Sequence, residues 1–399
     1  MALVPSHVPA APTGVRSSGF LPELEALRGV AVLLVVAFHT DRILSMPLEL
    51  AGIETRTTVT TPWRAFIRSG DTGVTLFFVL SGFLLALPFF AEARGGRRVN
   101  RGHYARRRAL RILPLYWTLL AVTTIHLVAA GRSPLPMLSY AVFANGLLPV
   151  AMPAPPFTNV LWSLATEAQF YVLLPFLPAV AVRPRLAAAL LVVYLIAYGA
   201  WLAGLVPMSF LATFRIAHSV FGRGWVFLAG IAAAWLYERH GAALRARAAA
   251  TPWLRNGASD LLLLLVLLAL GTLLLWVLGF RDGTAAMPPV VVWHAPEGLC
   301  WALVVLLVLL APLRIGPLFR SRALMGLGVL SYSIYLWHMP LLHFFLWPLA
   351  EHLGLRPEGW NRDGLLAAVP IMVLVLAGST LTYLGIERPF LRRKAQVTL

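Results

Sequence analysis

The chain has 399 residues, 59% of them apolar and 12% charged, where an ordinary soluble domain carries about 25% charged residues. Its 33 basic residues outnumber 16 acidic ones for a formal net charge of +17, and Lys394 is the single lysine among them. A composition this apolar excludes a disordered chain and exceeds what a soluble core of this size buries, which makes the bilayer the relevant solvent. One cysteine, Cys300, excludes an internal disulfide framework and a cysteine-built metal site, and no metal is expected.

The first 25 residues hold proline, alanine and serine without the apolar stretch of a signal peptide, and read as a cytoplasmic tail. Ten apolar segments near the ~20 residues needed to span a bilayer follow. They cover approximately 26–46, 71–91, 110–131, 160–182, 186–206, 218–238, 259–280, 293–312, 324–347 and 366–386. The segment from Leu138 to Val150 is too short and too glycine- and proline-bounded to span, and reads as a re-entrant candidate. The expected fold is an all-α polytopic membrane protein of about ten transmembrane helices. One membrane domain occupies 26–390, and 391–399 forms a short cytoplasmic tail.

With the N-terminus inside, the inner connections are 92–109, 183–185, 239–258, 313–323 and the stretch after 386. They carry 7, 2, 4, 3 and 4 basic residues, and the outer segments hold about half the inner total. That asymmetry follows the positive-inside rule with both termini cytoplasmic. It also accounts for most of the +17, so nucleic acid is not an expected partner.

Ionisable side chains at depth in a bilayer are costly, and therefore mark function. In the first segment Arg28 and His39 stand eleven residues apart. At about 100° per residue this is within about 20° of three full turns, so both lie on one helix face, ~16 Å apart along the axis. Spacing alone leaves open a histidine bonded between helices and an arginine snorkelling to the interface. Counting residues from opposite membrane faces, His39 reaches roughly 20 Å into a core of about 30 Å, and Glu167 of the fourth segment arrives at the same level. A carboxylate beside an imidazole fixes its tautomer and stabilises the imidazolium, so Glu167 is the expected partner of His39. His338 reaches a similar level, and Asp41 is an alternative partner although it points elsewhere around the helix. Glu297, nearer a helix end, reads as interfacial.

The connection before the third segment is the densest basic feature, running from Arg94 through Arg106-Arg107-Arg108 to Arg111. Arg108 and Arg111, at i and i+3, can present two guanidiniums to one polyanion; the same loop also suits a positive anchor on anionic lipid. Ser81 and Gly82 in mid-helix point to close helix packing.

Six segments in order carry a resemblance: LRGVAVLLVVAFH, FFVLSGFLL, RRRALRILPLYW, LWSLATEAQFYVLLP, SYSIYLWHMPL and ERPF. Together, from about residue 20 to 392, they resemble the acyltransferase-3 family of integral membrane proteins. The resemblance implies transfer of an acyl group, commonly acetyl, from cytoplasmic acyl-CoA to a hydroxyl. The implied acceptor is a sugar of an envelope glycan, a glycoside, or a polyketide product of the macrolide type. It implies that Arg28 and His39 form the family's arginine–histidine motif, that Arg108 and Arg111 are its donor-associated pair, and that Glu167 is its acidic residue. The polar and aromatic residues Ser81, Trp162, Ser163, Tyr171, Tyr332 and His338 of these segments, with Asp41 just beyond the first, are candidates for the substrate pocket.

On this reading His39 is the general base, oriented by Glu167. Arg108 and Arg111 hold CoA phosphates at the inner mouth, and Arg28 lines the path between them. Acyl-CoA, with acetyl-CoA expected, is a co-substrate and no resident cofactor is expected. A covalent acyl-histidine is the alternative, since imidazole is also a nucleophile. An arginine-rich, lysine-poor chain fits a bacterial inner membrane. The competing class is a proton-coupled transporter or flippase of a glycoside or lipid-linked sugar, which uses buried His, Glu and Arg as well. Oligomeric state is left open.

Overall fold

Backbone amides in a bilayer have no water to bond, so each spanning segment must satisfy its own hydrogen bonds as helix. All ten expected spans fall on helices in the computed structural model, which describes residues 20–50, 62–145, 157–205, 210–281, 292–356 and 359–396. No strand occurs among the described residues. The helices are α1 (Pro22–Leu50), α2 (Pro62–Arg68), α3 (Thr72–Ala93), α4 (Arg101–Ala129), α5 (Met137–Ala141), α6 (Leu161–Ala181) and α7 (Pro184–Leu202). They continue with α8 (Phe210–Ala217), α9 (Gly224–Ala250), α10 (Ser259–Arg281), α11 (His294–Leu310), α12 (Arg322–His352) and α13 (Arg362–Ala395).

Seven of these, α3, α4, α6, α7, α10, α12 and α13, are long and apolar enough to cross a membrane, against ten expected. The other three expected spans lie on α1, which carries Arg28, Asp41 and Arg42, on α9, whose second half is charged, and on α11, apolar but only 17 residues long. The re-entrant candidate contains the short helix α5; its residues 146–150 lie outside the described ones, as do 1–19 of the expected N-terminal tail. Large apolar side chains on α7 and α10, among them Val193, Ile196, Leu264 and Leu268, face outward, which water would penalise and lipid does not. The protein is a multi-pass helical membrane protein.

Glycines set the two closest crossings. A Cβ on Gly29 would strike the Leu324 backbone, and one on Gly328 would strike the Glu25 carbonyl, so α1 and α12 run with their backbones in contact. The two helices run in the same direction, since His39 near the far end of α1 meets His338 on α12. At the second crossing Gly82 of α3 faces the Phe227 carbonyl of α9, and Gly230 returns the contact against Val79 and Phe83. A Cβ at Gly82 would lie 2.6 Å from that carbonyl oxygen. Gly82→Ala is therefore expected to destabilise the protein by about 1–3 kcal/mol, seen as a lower unfolding temperature in detergent. Gly199→Ala, whose Cβ would meet nothing within 4 Å, is expected to be neutral or stabilising in the same assay.

Local sequence starts and bends the helices that carry the site. Asn100 accepts from the His103 amide and opens α4 just ahead of its arginines, and Ser321 caps α12 in the same way through Leu324. In α6, Pro175 and Pro178 remove amide donors where the helix tightens to a 3-10 turn over Leu174–Phe176. The last turns of α13 pass through a π turn over Tyr383–Glu387 that rotates the chain before the amphipathic segment Arg388–Ala395 packs on α4. That segment is helical through Ala395, where a short tail was expected.

Candidate active site

A cavity of about 990 Å³ runs along one face of α3, past Val74, Phe77, Phe78, Ser81, Leu84, Leu85, Pro88 and Ala91. These positions recur at three- and four-residue steps, so they form one stripe about 25 Å long at 1.5 Å per residue. One end of the cavity is basic, lined by Arg28 of α1, by Arg107, Arg108 and Arg111 of α4, and by Lys394 of α13. Phe77, Ser163 and Tyr335 line it away from that basic end.

The basic residues are not equivalent. Arg111 pairs with Glu387 at 2.5 Å, and Glu387, with 1% of its side chain exposed, also accepts from Ser333 at 2.8 Å. Arg111 additionally lies over the Tyr332 ring, whose hydroxyl donates to the Ile112 carbonyl. Arg28 donates to Ser331 at 3.2 Å and has Glu25 at 3.9 Å. Arg108 lies over the Tyr171 ring and has no acidic partner among the described residues; its buried Nε bonds to nothing there.

Glu167 lies in the cavity wall with Tyr171 one turn on, and accepts a hydrogen bond from Ser81. Ser163 donates to the Val160 carbonyl at 2.9 Å and bonds the Tyr335 hydroxyl at 2.6 Å. Ser81, Ser163, Glu167, Tyr171 and Tyr332 therefore share one cavity with the three arginines singled out from sequence. Trp162 does not line it: it packs between His218, the Arg223 guanidinium and the cavity-lining Phe78. Nor does Asp41, which is 1% exposed and held by Arg64 and Arg68 of α2. Glu297, in the first turn of α11, is buried and bonds Thr72 at 2.6 Å and His294 at 3.0 Å.

His39 meets His338 rather than Glu167. His338 is fully buried, and its Nδ1 faces the carbonyls of Ile334 at 3.1 Å and Tyr335 at 2.8 Å. Both partners are acceptors, which assigns a proton to Nδ1 and leaves Nε2 as an acceptor. That Nε2 stands 3.2 Å from Nδ1 of His39, which also faces the Val35 carbonyl at 3.0 Å. The same logic assigns the His39 proton to Nδ1 and its lone pair to Nε2. Of the pair, His39 is half-buried and His338 fully buried. The ring of His338 lies 5.8 Å from that of Tyr335, so the pair stands next to a residue that lines the cavity.

Glu387, Lys394, Arg107 and Tyr335 belong to this constellation and were not singled out from sequence. A signal existed for Glu387, a lone acid ending an apolar run, and for Tyr335, three residues before His338. None existed for Lys394, one of four cations in a basic tail.

The fold and the cavity define a polytopic membrane protein with a long polar-ended shaft beside a buried histidine pair. The family model described as an acyltransferase domain matches residues 21–384, and the chain belongs to the acyltransferase-3 family. It is 22% identical over 351 residues to the peptidoglycan O-acetyltransferase OatA of Listeria monocytogenes, covering 82% of this chain and 50% of that protein. The chain thus spans about half the length of this relative. It is 27% identical over 324 residues to ORF330 of Acidianus two-tailed virus, whose name assigns acetyltransferase activity provisionally; the match covers 80% of this chain and 82% of that protein. No solved structure matches.

Proposed function

We propose that the protein transfers acetyl or another short acyl group from acyl-CoA to a hydroxyl of a glycan, glycoside or polyketide-type acceptor. The observation that carries this reading is the shaft along α3. It joins a basic mouth suited to a polyanion to a far end, lined by Tyr335, that lies next to the histidine pair. A nucleotide head bound at the mouth leaves a long apolar path for the pantetheine arm, and places the thioester near Tyr335. Movement of Tyr335 from Ser163 is then the step that opens the thioester to His39.

A hydroxyl is a poor nucleophile until a base removes its proton during attack. On this proposal His39 Nε2 takes that proton as the acceptor oxygen bonds to the thioester carbonyl. Collapse of the tetrahedral intermediate breaks the C–S bond, and the imidazolium returns the proton to the departing CoA sulfur. His338 holds the required tautomer by accepting from His39 Nδ1, the orienting role that Glu167 was expected to fill. Glu167, between Ser81 and Tyr171, instead shapes the cavity wall beside Arg108. By the charge asymmetry of the loops, the basic mouth faces the cytoplasm of a bacterial inner membrane, where acyl-CoA is available.

The test is product mass spectrometry with purified protein, mixed acyl-CoAs and an extract of host glycans and metabolites. Acyl-CoA-dependent addition of an acyl mass to a hydroxylated product is expected. Solute flux across proteoliposomes without acyl-CoA consumption would establish a transporter instead. His338→Ala is expected to lower kcat, by less than loss of His39 itself, while the KM for donor stays unchanged. A covalent acyl group recovered on His39 after acid quench would replace direct transfer by a two-step route.

A further inference from the structure

We propose that Lys394 completes the donor-phosphate site, and that the C-terminal segment Arg388–Ala395 forms part of its wall. This inference rests on the acyl-CoA reading above. Lys394, with Leu391 and Ala395, lines the same cavity as Arg28, Arg107, Arg108 and Arg111. Its charge is close enough to feel all four of those guanidiniums. Two of them are answered by acids, Arg111 by Glu387 and Arg28 by Glu25. Arg108 and Lys394 have no acidic partner among the described residues. Like charges gathered on one recess repel each other and create a strong local potential for an anion.

The position of Lys394 follows from the chain before it. The π turn at Tyr383–Glu387 and the Glu387–Arg111 pair fix the start of the segment, and its packing on α4 turns one face to the cavity. Arg388, Arg392 and Arg393 on the same segment are exposed and do not line the cavity, so one cation of four points inward. A lysine there, on a flexible stem with a compact charge, can follow a phosphate, whereas Arg108 offers a planar fork over the Tyr171 ring. The two together suit a nucleotide polyphosphate with more than one anionic group.

The experiment uses the full chain in nanodiscs with acetyl-CoA as probe, measuring binding by calorimetry and transfer by steady-state kinetics. Lys394→Gln is expected to raise the donor Kd and KM about tenfold, with kcat within about twofold, as loss of one charge-assisted contact requires. Lys394→Arg is expected to restore binding, and Arg392→Gln to leave it unchanged. Unchanged donor affinity in Lys394→Gln, or equal losses in Lys394→Gln and Lys394→Arg, would overturn the proposal while leaving the donor reading intact. Wild-type protein that fails to bind acetyl-CoA would overturn the donor reading itself, and this inference with it.

Discussion

Replacing His39 by alanine is expected to reduce acyl transfer by about 10²–10⁴-fold, the range for loss of a positioned general base. Acetyl-CoA binding in the same variant is expected to stay at the wild-type level. The two effects separate because His39 stands behind Tyr335, outside the cavity that holds the arginines. Steady-state transfer and equilibrium donor binding on one preparation check both halves. Retention of full transfer by His39→Ala would sink the assignment of the base. Loss of binding together with transfer would show that His39 shapes the donor site, against the separation seen here.

The second large effect is on stability and concerns Arg111. Glu387 and Arg111 meet at 2.5 Å with 1% and 14% of their side chains exposed, and Glu387 also holds Ser333. Glu387→Gln leaves the guanidinium buried without its counter-charge, which costs about 3–5 kcal/mol. A marked fall in unfolding temperature in detergent is therefore expected. Arg108→Ala, which removes a cation that has no acid to abandon, is expected to keep the wild-type unfolding temperature and lose donor affinity. Equal stability of Glu387→Gln and wild type would mean that the pair is solvated and that Arg111 is available to a ligand. The contrast divides the two arginines that spacing at i and i+3 made look alike. Arg111 is fastened to α13, and Arg108 presents its charge to the cavity.

The same division runs through the rest of the protein. Helical class and membrane setting were legible in the apolar runs, because a segment without water has one way to satisfy its backbone. The positions of Arg28, His39 and Glu167 stood out for a related reason, since each is a polar group in a stretch that otherwise excludes it, whereas Arg108 stood out by its spacing to Arg111 in a basic run. Depth along a helix could also be counted from sequence, and it placed Glu167 and His338 at nearly the same level as His39.

Depth does not determine which way a side chain points across the bundle. The Gly29–Gly328 crossing brings α1 against α12, and this puts His338 at His39 and Ser331 at Arg28. Glu167, on α6, turns to Ser81. Asp41, two residues beyond His39, turns instead to α2. The partner of Arg111 lies 276 residues away, and a π turn aims it, so no local pattern announces it. Apolar periodicity and isolated charge were enough to name the solvent and the suspects, because both are properties of a single helix. Tautomer, ion pairing and the shape of the shaft belong to contacts between helices, and those were settled only when small residues let particular backbones touch.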